Sequence, residues 1–382
     1  MSKLFEPFSV RGVTLKNRVC VSPMSQYKAV NGVANDWHAA HLGRFALGGC
    51  GLVFCEATAV APEARRTHGD LGLWHDEQIS PLKKINAFIA AQGASTGVQL
   101  AHAGRKASER RPWHGETPVN EEDERLRGEA PWQALSPTAE PYGEQWPAPK
   151  KMTLADIEKV IDDFGAAAAR AHLADFDVIE VYAAHGFLLH QFYSPLCNDR
   201  DDEWGGSFEN CIRLSVEVAK SIRRSWPAEK PLFFRISATE WLDQGWQVED
   251  SIALAIELKK VGVDLIDCSS GGIGGNTPVP RFPLGPAFQA DLAKAVREGA
   301  DVASMAVGLI WQADVAEEII SSGQADLVAL ARELLNNPNW ALHAAQELEA
   351  DDNYALWDDA MGWWLKKRQR LFDKWGVGGG EK

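Results

Sequence analysis

A tyrosine and a histidine, Tyr182 and His185, follow a short apolar run that ends at Val181. A phenol and an imidazole can both donate a hydrogen bond to an oxygen on which negative charge develops, so the pair is a candidate catalytic site. Phe187 follows two residues later, and its side chain has no proton to transfer. A tyrosine or histidine after a strand can equally be a structural hydrogen-bonding residue, so the pair alone leaves both interpretations open.

Eight short apolar runs recur along the chain, and amphipathic helical segments separate them. The runs cover residues 19–22, 52–57, 98–102, 178–182, 232–237, 265–269, 302–306 and 327–331. This alternation is typical of a parallel sheet with both faces covered, and eight units predict a closed (β/α)8 TIM barrel of the α/β class. A doubly wound sheet is the alternative, but no G-x-G-x-x-G follows the first run. In a barrel, Tyr182 and His185 stand at the carboxyl end of strand four, where barrel enzymes keep their active sites.

A single domain is predicted over residues 1–350, with an insertion at about 105–152 after the third strand. The insertion is polar, contains proline and tryptophan, and is too long for a plain connection, so we expect a lid over the barrel mouth. The C-terminal extension, 351–382, combines aromatic and basic residues. It fits either a solvated terminal helix or a segment that docks on a neighbouring subunit.

Composition excludes several classes of partner. The 382 residues carry a net charge of -14, which disfavours nucleic acid and anionic membrane surfaces. No apolar run approaches the roughly 20 residues that span a bilayer, and the amino terminus lacks the form of a signal peptide, so a cytoplasmic location is expected. Six cysteines without a C-x-x-C pair predict neither disulfides nor a bound metal.

The run over residues 181–207 closely resembles the signature of the Old Yellow Enzyme family of FMN-dependent ene-reductases. It reads V-Y-A-A-H-G-F-L-L-H-Q-F-Y-S-P-L-C-N-D-R-D-D-E-W-G-G-S, against a usual H-x-A-H-G-Y-L-x-x-Q-F-x-S-P-x-x-N-x-R-x-D-x-Y-G-G-S. The motif Q-L-A-H-A-G-R-K-A at 99–107 is similar to the xenobiotic-reductase and thermophilic-like branch. The resemblance extends from residue 5 to about 364 and implies bound FMN with NADPH or NADH as the reductant.

The resemblance also implies flavin contacts at nearly every strand end. The predicted cofactor residues are Pro23, Met24, Ser25, Ala57, Gln99, Arg235, Ser270, Gly271, Gly308, Ala331 and Arg332. An amide such as Gln99 suits the pyrimidine edge of the ring, and the charge of Arg235 suits the reduced, anionic flavin near N1 and C2=O. Gly308, Ala331 and Arg332 offer the backbone N–H groups and the cation that a phosphate requires.

The chain departs from the family pattern on the substrate side. Family members pass hydride from flavin N5 to the β carbon of an activated alkene while a tyrosine protonates the α carbon. The two carbonyl donors align with Tyr182, where the family usually has histidine, and with His185. Phe187 occupies the position of the proton donor, so the proton must come from water, Tyr182 or Tyr27. Ser25 replaces a cysteine that this branch commonly places against the flavin, which predicts a shifted flavin potential.

These residues predict an FMN-dependent NAD(P)H oxidoreductase that reduces a C=C bond conjugated to a carbonyl in a small molecule. Tyr182, His185 and Tyr27 are the predicted catalytic residues, and Phe187 and Trp364 complete the predicted substrate site. Trp364 lies in the C-terminal extension and is expected to reach a neighbour's active site in a homodimer or larger homo-oligomer. The alternatives are a desaturase or an amine-oxidising enzyme of the same family, and a flavin-binding protein with little turnover.

Overall fold

Eight parallel strands form a closed barrel in the computed structural model, which describes residues 2–275, 277 and 281–376. The strands are β1 (Val19–Val21), β2 (Leu52–Ala59), β3 (Ser95–Ala101), β4 (Val178–Ala183), β5 (Leu232–Ser237), β6 (Leu265–Ser269), β7 (Ala303–Val307) and β8 (Leu327–Leu330). The last strand pairs in parallel with the first, with Val328 opposite Val19, which closes the barrel. The predicted (β/α)8 fold is confirmed.

An outer layer of helices covers the barrel. These helices are Asp36–Leu47, Ile79–Ala91, Leu154–Leu173, Phe208–Ser225, Val248–Lys260, Ala290–Ala300, Ala313–Ser321 and Trp340–Glu347. Shorter helices cover Glu121–Arg127, Leu188–Tyr193 and Arg332–Asn336, and a terminal helix covers Asp359–Trp375. None of the helices in the described part of the chain is both long and apolar enough to cross a bilayer.

Capping residues set the start of several of these helices. The hydroxyl of Thr153 accepts a hydrogen bond from the backbone N–H of Asp156, and the Asp156 carboxylate accepts one from the N–H of Thr153. This reciprocal arrangement satisfies two backbone donors that the first helical turn leaves without partners. The sequence T-L-A-D therefore starts the helix that leads into β4, the strand that carries Tyr182.

Alternate residues of a strand point the same way, so each strand contributes a series of side chains to the inner face of the barrel. These side chains change from apolar at the bottom to charged nearer the mouth. The bottom is an apolar cluster to which β4, β5 and β6 contribute Val178, Phe233 and Leu265. A hairpin of Phe8–Val10 and Val13–Leu15 packs against this cluster. Two residues further along the same strands come Glu180, Arg235 and Asp267, all buried. A layer of buried charge thus lies between the apolar floor and the mouth.

The insertion after β3 has structure of its own. It contains the helix Glu121–Arg127 and a short parallel pair, Leu135–Ser136 with Lys150–Lys151. It contacts the loop after β2, where the indole N–H of Trp132 donates to the Glu63 carbonyl at 3.1 Å. The C-terminal extension forms an exposed helix up to Trp375, and its residues 377–382 lie outside the described part of the chain.

Candidate active site

Three side chains form a line of hydrogen bonds at the carboxyl ends of β4 and β6. The Tyr182 hydroxyl lies 2.8 Å from His185 Nδ1, and His185 Nε2 lies 2.6 Å from the Ser269 hydroxyl. Burial, together with the charges of Arg235 and Lys106, lowers the pKa of His185 well below its ordinary value. The imidazole is therefore neutral at pH 7 and has one N–H to donate. The two predicted carbonyl donors are brought together, and they bond to each other.

The backbone at His185 is in the left-handed region, with φ of 52°. Two contacts hold it there: its N–H donates to the Ser237 hydroxyl at 2.9 Å, and its carbonyl accepts from Lys106 Nζ at 2.5 Å. The next residue, Gly186, passes so close to the loop after β6 that a Cβ would lie 2.4 Å from the Gly272 carbonyl oxygen. The sharp turn after β4 thus depends on a glycine and on a buried lysine.

A buried cluster of opposite charges supports the mouth from below. Arg235 Nε lies 3.3 Å from the Asp267 carboxylate, and its Nη1 donates to the Ser22 hydroxyl at 2.8 Å. Burial and then the charge of Asp267 raise the pKa of Glu180 well above its usual range, whereas the nearby carboxylates raise the pKa of Arg235 against the effect of burial. The Gln99 amide donates to Glu180 at 2.8 Å. Arg235 is therefore a fixed cation, and burial favours the protonated form of the carboxyl groups beside it, Glu180 first.

A cleft of about 580 Å³ opens at the ends of β1, β5, β6, β7 and β8. This volume lies in the range of cofactor and small-molecule sites, about 300–1,000 Å³. The structure brings six of the predicted cofactor residues to its wall, together with His185: Pro23, Arg235, Ser270, Gly308, Ala331 and Arg332. Gly308 has φ of 111°, and a Cβ there would lie 2.5 Å from the Gln289 amide nitrogen, so a side chain would crowd this end of the cleft.

The remaining predicted cofactor residues do not line this cleft. The Gln99 amide donates a hydrogen bond to Glu180. The Gly271 N–H donates to the Thr239 carbonyl, and the Gly271 carbonyl accepts from the Ser237 hydroxyl. Ala57 is buried in a cluster with Phe187. Met24 lines a small separate pocket, and Ser25 is half-buried beside it in the chain.

The aromatic residues predicted for the substrate side are held by packing and by charge. Phe187 is 6% exposed, and its ring centroid lies 4.1 Å from that of Tyr182. The Tyr27 hydroxyl accepts a hydrogen bond from Arg66 Nη1 at 3.3 Å, and Arg66 in turn donates to Glu109 at 2.8 Å. Burial raises the pKa of Tyr27 to about 12, so its phenol keeps its proton at neutral pH.

Trp364 is not brought to this site within the chain, since it is 64% exposed on the terminal helix. Sequence reasoning missed Gln289, which lines the cleft, accepts from the Ser270 hydroxyl at 2.5 Å and donates to the Val307 carbonyl at 2.7 Å. Gln289 stands in the long connection after β6, where no apolar period or motif marks it. Its role depends on a contact that only folding creates.

The chain matches the model of the NADH:flavin oxidoreductase / NADH oxidase family over residues 3–351. It belongs to this family. The predicted Old Yellow Enzyme relationship is confirmed, and the protein is an FMN-dependent oxidoreductase.

Similar proteins agree with this assignment, and similar solved structures agree with the barrel fold. An NADPH dehydrogenase of Geobacillus sp. (strain WCH70) is 42% identical over 90% of this chain and 94% of its own. An NADH:flavin oxidoreductase of Gibberella zeae is 43% identical over 96% of this chain and 90% of its own. Morphinone reductase superposes with a TM-score of 0.74 at 24% identity, covering 91% of this chain and 90% of that one.

A 2-naphthoyl-CoA reductase superposes with a TM-score of 0.79 at 24% identity and covers 93% of this chain. This chain spans about half of that larger protein, 53% of its length. At this identity, the two solved structures show the barrel fold alone.

Proposed function

We propose that this flavoenzyme oxidises NADPH or NADH and reduces the C=C bond of a small α,β-unsaturated carbonyl compound. The observation that carries the proposal is the hydrogen-bonded line of Tyr182, His185 and Ser269, which stands beside a cleft with a fixed cation. The relatives named NADPH dehydrogenase support a nicotinamide reductant. FMN supplies the hydride-accepting and hydride-donating chemistry when it is bound.

The cleft residues fit FMN in the chemistry of their donors. Arg235 offers a permanent positive charge that suits a reduced, anionic flavin. Arg332 adds a second cation to the wall, while Gly308 leaves backbone accessible where a side chain would obstruct a phosphate. Pro23, Ser270 and Ala331 complete the same wall. We propose these six residues as the cofactor site, with Met24, Ser25, Ala57, Gln99 and Gly271 in supporting positions around it.

Tyr182 and His185 hold the substrate carbonyl oxygen in this proposal. Burial raises the pKa of Tyr182, so it remains a phenol and can donate. The neutral His185 can donate through one ring nitrogen only. With that proton on Nε2, Tyr182 donates to Nδ1 and Nε2 donates to Ser269, whose own hydroxyl donates to Gln289 at 3.5 Å. A bound carbonyl oxygen therefore has to replace Ser269 or His185 as an acceptor, which makes the clamp dependent on substrate binding.

We propose Tyr27 as the proton source that takes over from the missing tyrosine at position 187. A guanidinium can only donate, so the Tyr27 oxygen is the acceptor in its bond with Arg66. The hydroxyl hydrogen of Tyr27 therefore remains available for another acceptor. Tyr182 and water are the competing sources, and a Tyr27→Phe variant that keeps full turnover would exclude Tyr27.

A second candidate function is oxidation of a saturated ketone or an amine, and Phe187 is the observation that favours it. Oxidation of an amine removes a hydride from the carbon that bears the nitrogen and a proton from the nitrogen, so it needs no proton-transfer group at position 187. Oxidation of a saturated ketone still needs a base for the α proton, for which Tyr182, Tyr27 or water remain. The two functions separate under nitrogen. If 2-cyclohexenone does not reoxidise the reduced enzyme but a simple amine such as pyrrolidine reduces the oxidised enzyme, the second candidate is correct.

Two further elements belong to the proposal. Residues 105–152 are proposed as a lid, supported by the contact of Trp132 with the loop after β2. The terminal helix is proposed to dock on a second subunit of a cytoplasmic homo-oligomer, with Trp364 at a neighbour's active site, supported by the exposure of Trp363, Trp364 and Trp375. Truncation before Tyr354 should change both oligomeric state and substrate affinity, and a truncated protein unchanged in both would exclude the docking.

The decisive experiment is the visible spectrum of the purified protein, followed by titration with NADPH under nitrogen and addition of 2-cyclohexenone. We expect a yellow protein that NADPH bleaches and the enone recolours. A protein that stays colourless when offered FMN would overturn the cofactor site, and a bleached protein that no enone recolours would overturn the substrate class.

A further inference from the structure

A second pocket, of about 260 Å³, lies between the end of β3 and the insertion. Its walls include Trp132, Trp146, Pro131 and Pro147, and Arg105 also lines it. None of the residues proposed to hold FMN, the reductant or the alkene lines this pocket. The proposed reaction therefore does not account for this pocket.

Arg105 is the feature that points to a ligand. It is 2% exposed, and its Nη2 donates to the carbonyl oxygens of Ile273 at 3.2 Å and Gly274 at 3.4 Å. Its Nε and Nη1 have no hydrogen-bond partner among the residues that the structure describes. A guanidinium is always charged, and buried N–H donors without acceptors cost free energy. Since Arg105 lines the pocket, a ligand oxygen that reaches its guanidinium would satisfy them.

The aromatic walls define the rest of the ligand. Trp132 is held from two sides, since its backbone N–H donates to the Ser108 hydroxyl at 3.1 Å and its indole N–H to the Glu63 carbonyl at 3.1 Å. Trp146 packs edge to face against Tyr142, with ring centroids 5.0 Å apart. Indole rings bind flat aromatic groups by stacking or edge contacts. The pocket thus combines apolar, aromatic walls with a buried cation.

We propose that this pocket is a second binding site, for a small aromatic carboxylate whose ring lies among the tryptophans and whose carboxylate accepts from Arg105. The inference goes beyond the proposed function, because the site is separate from the flavin cleft and binding there requires no redox chemistry. The negative charge is essential, since a neutral ring would leave the guanidinium without its counter-charge.

The test is calorimetric titration of the FMN-loaded protein with indole-3-acetate while saturating p-hydroxybenzaldehyde occupies the flavin site. We expect one binding site for the acid and at least about tenfold weaker binding of the uncharged indole-3-ethanol, as the loss of a charge-assisted hydrogen bond predicts. Arg105→Met should weaken binding of the acid by a similar factor. The matched control is Arg125→Met, an exposed arginine of the same insertion that pairs with Glu122 at 3.6 Å.

Because Arg105 is buried, Arg105→Met is compared with wild type by its flavin spectrum and its unfolding midpoint. If that variant does not fold, Trp146→Ala removes one wall and must weaken binding of the acid severalfold. Equal affinity for acid and alcohol would overturn the proposal, as would unchanged affinity in the folded variants. Loss of all binding in the presence of p-hydroxybenzaldehyde would place the acid at the flavin instead. A failure of NADPH to bleach the protein would leave these binding results unaffected, so the two proposals fail separately.

Discussion

The two halves of the barrel mouth differ in the contacts that their predicted site residues make. Around the ends of β5 to β8, predicted cofactor residues such as Arg235, Gly308 and Arg332 line one open cleft. At the end of β4, the predicted substrate residues Tyr182 and His185 bond to each other, and Phe187 packs against Tyr182. The proposed cofactor half uses two arginine charges and backbone positions, and the backbone positions vary little with side-chain identity. The substrate half uses hydrogen-bond donors, where one substitution changes the chemistry.

Removing Arg235 should have the largest effect, because it takes away the buried positive charge on which the proposed cofactor site depends. Arg235→Met leaves Asp267 buried without its partner at 3.3 Å. We expect loss of FMN and a fall of about 3–5 kcal/mol in the free energy of unfolding, as for other broken buried ion pairs. Urea denaturation and flavin content after gel filtration check this, with Arg235→Lys as the charge-preserving control. A yellow, equally stable Arg235→Met protein would contradict it.

Changes at β4 should act on turnover and leave the cofactor in place. His185→Ala is expected to lower kcat for 2-cyclohexenone by about 10²- to 10³-fold, the usual loss on removing one oxyanion donor. Flavin content should stay at the wild-type level. Tyr182→Phe serves as the matched variant, because it removes a hydroxyl and keeps the ring that packs on Phe187. If both variants also leave the dissociation constant of p-hydroxybenzaldehyde unchanged, the carbonyl clamp is elsewhere.

Restoring the missing acid should raise activity. Phe187→Tyr places a phenol where Phe187 contacts Tyr182, and we expect turnover of an enone to rise by up to about 10²-fold, the lower range for general acid catalysis. The comparison with Tyr27→Phe in the same background shows which phenol delivers the proton. The solvent isotope effect on the reoxidation step should fall when the new donor acts. An unchanged rate would mean that protonation is not the slow step.

The smallest effect concerns Lys106 and pH. Burial lowers the pKa of Lys106 to about 7, so between about pH 7 and 10 the unfolded chain binds one proton more than the native protein. The contribution of Lys106 to the free energy of unfolding therefore rises with pH across this window and is lowest, and constant, below pH 7. Relative to Lys106→Met, wild type should gain up to about 2 kcal/mol between pH 7 and 9. Urea midpoints of both proteins at these pH values test this, and parallel curves would contradict the low pKa.

Much of the fold could be predicted because the signals are local. Continuous apolar runs marked the strands to within a few residues, as at 265–269, which matches Leu265–Ser269. The charge layer below the mouth also follows from strand alternation once Arg235 is placed on the inner face. The contacts of Tyr27 with Arg66 and of Ser270 with Gln289 could not be predicted, since they join loops whose paths depend on tertiary packing. Nor could the pairing of Tyr182 with His185, which needs the left-handed backbone at His185.

The inner face of the barrel is apolar at the bottom, charged above that, and lined by hydrogen-bonding side chains at the mouth. A change of reaction therefore requires substitutions at few positions. Val178, Glu180 and Tyr182 occupy successive inward positions of one strand, from floor to mouth. A new side chain at 182, or just past the strand at 187, therefore leaves the apolar base in place and meets the charge layer at its upper edge, where Tyr182 is paired with Arg235 in the sheet. Residues at the mouth can therefore vary to accept other substrates while the core and the residues proposed to bind the coenzyme stay the same.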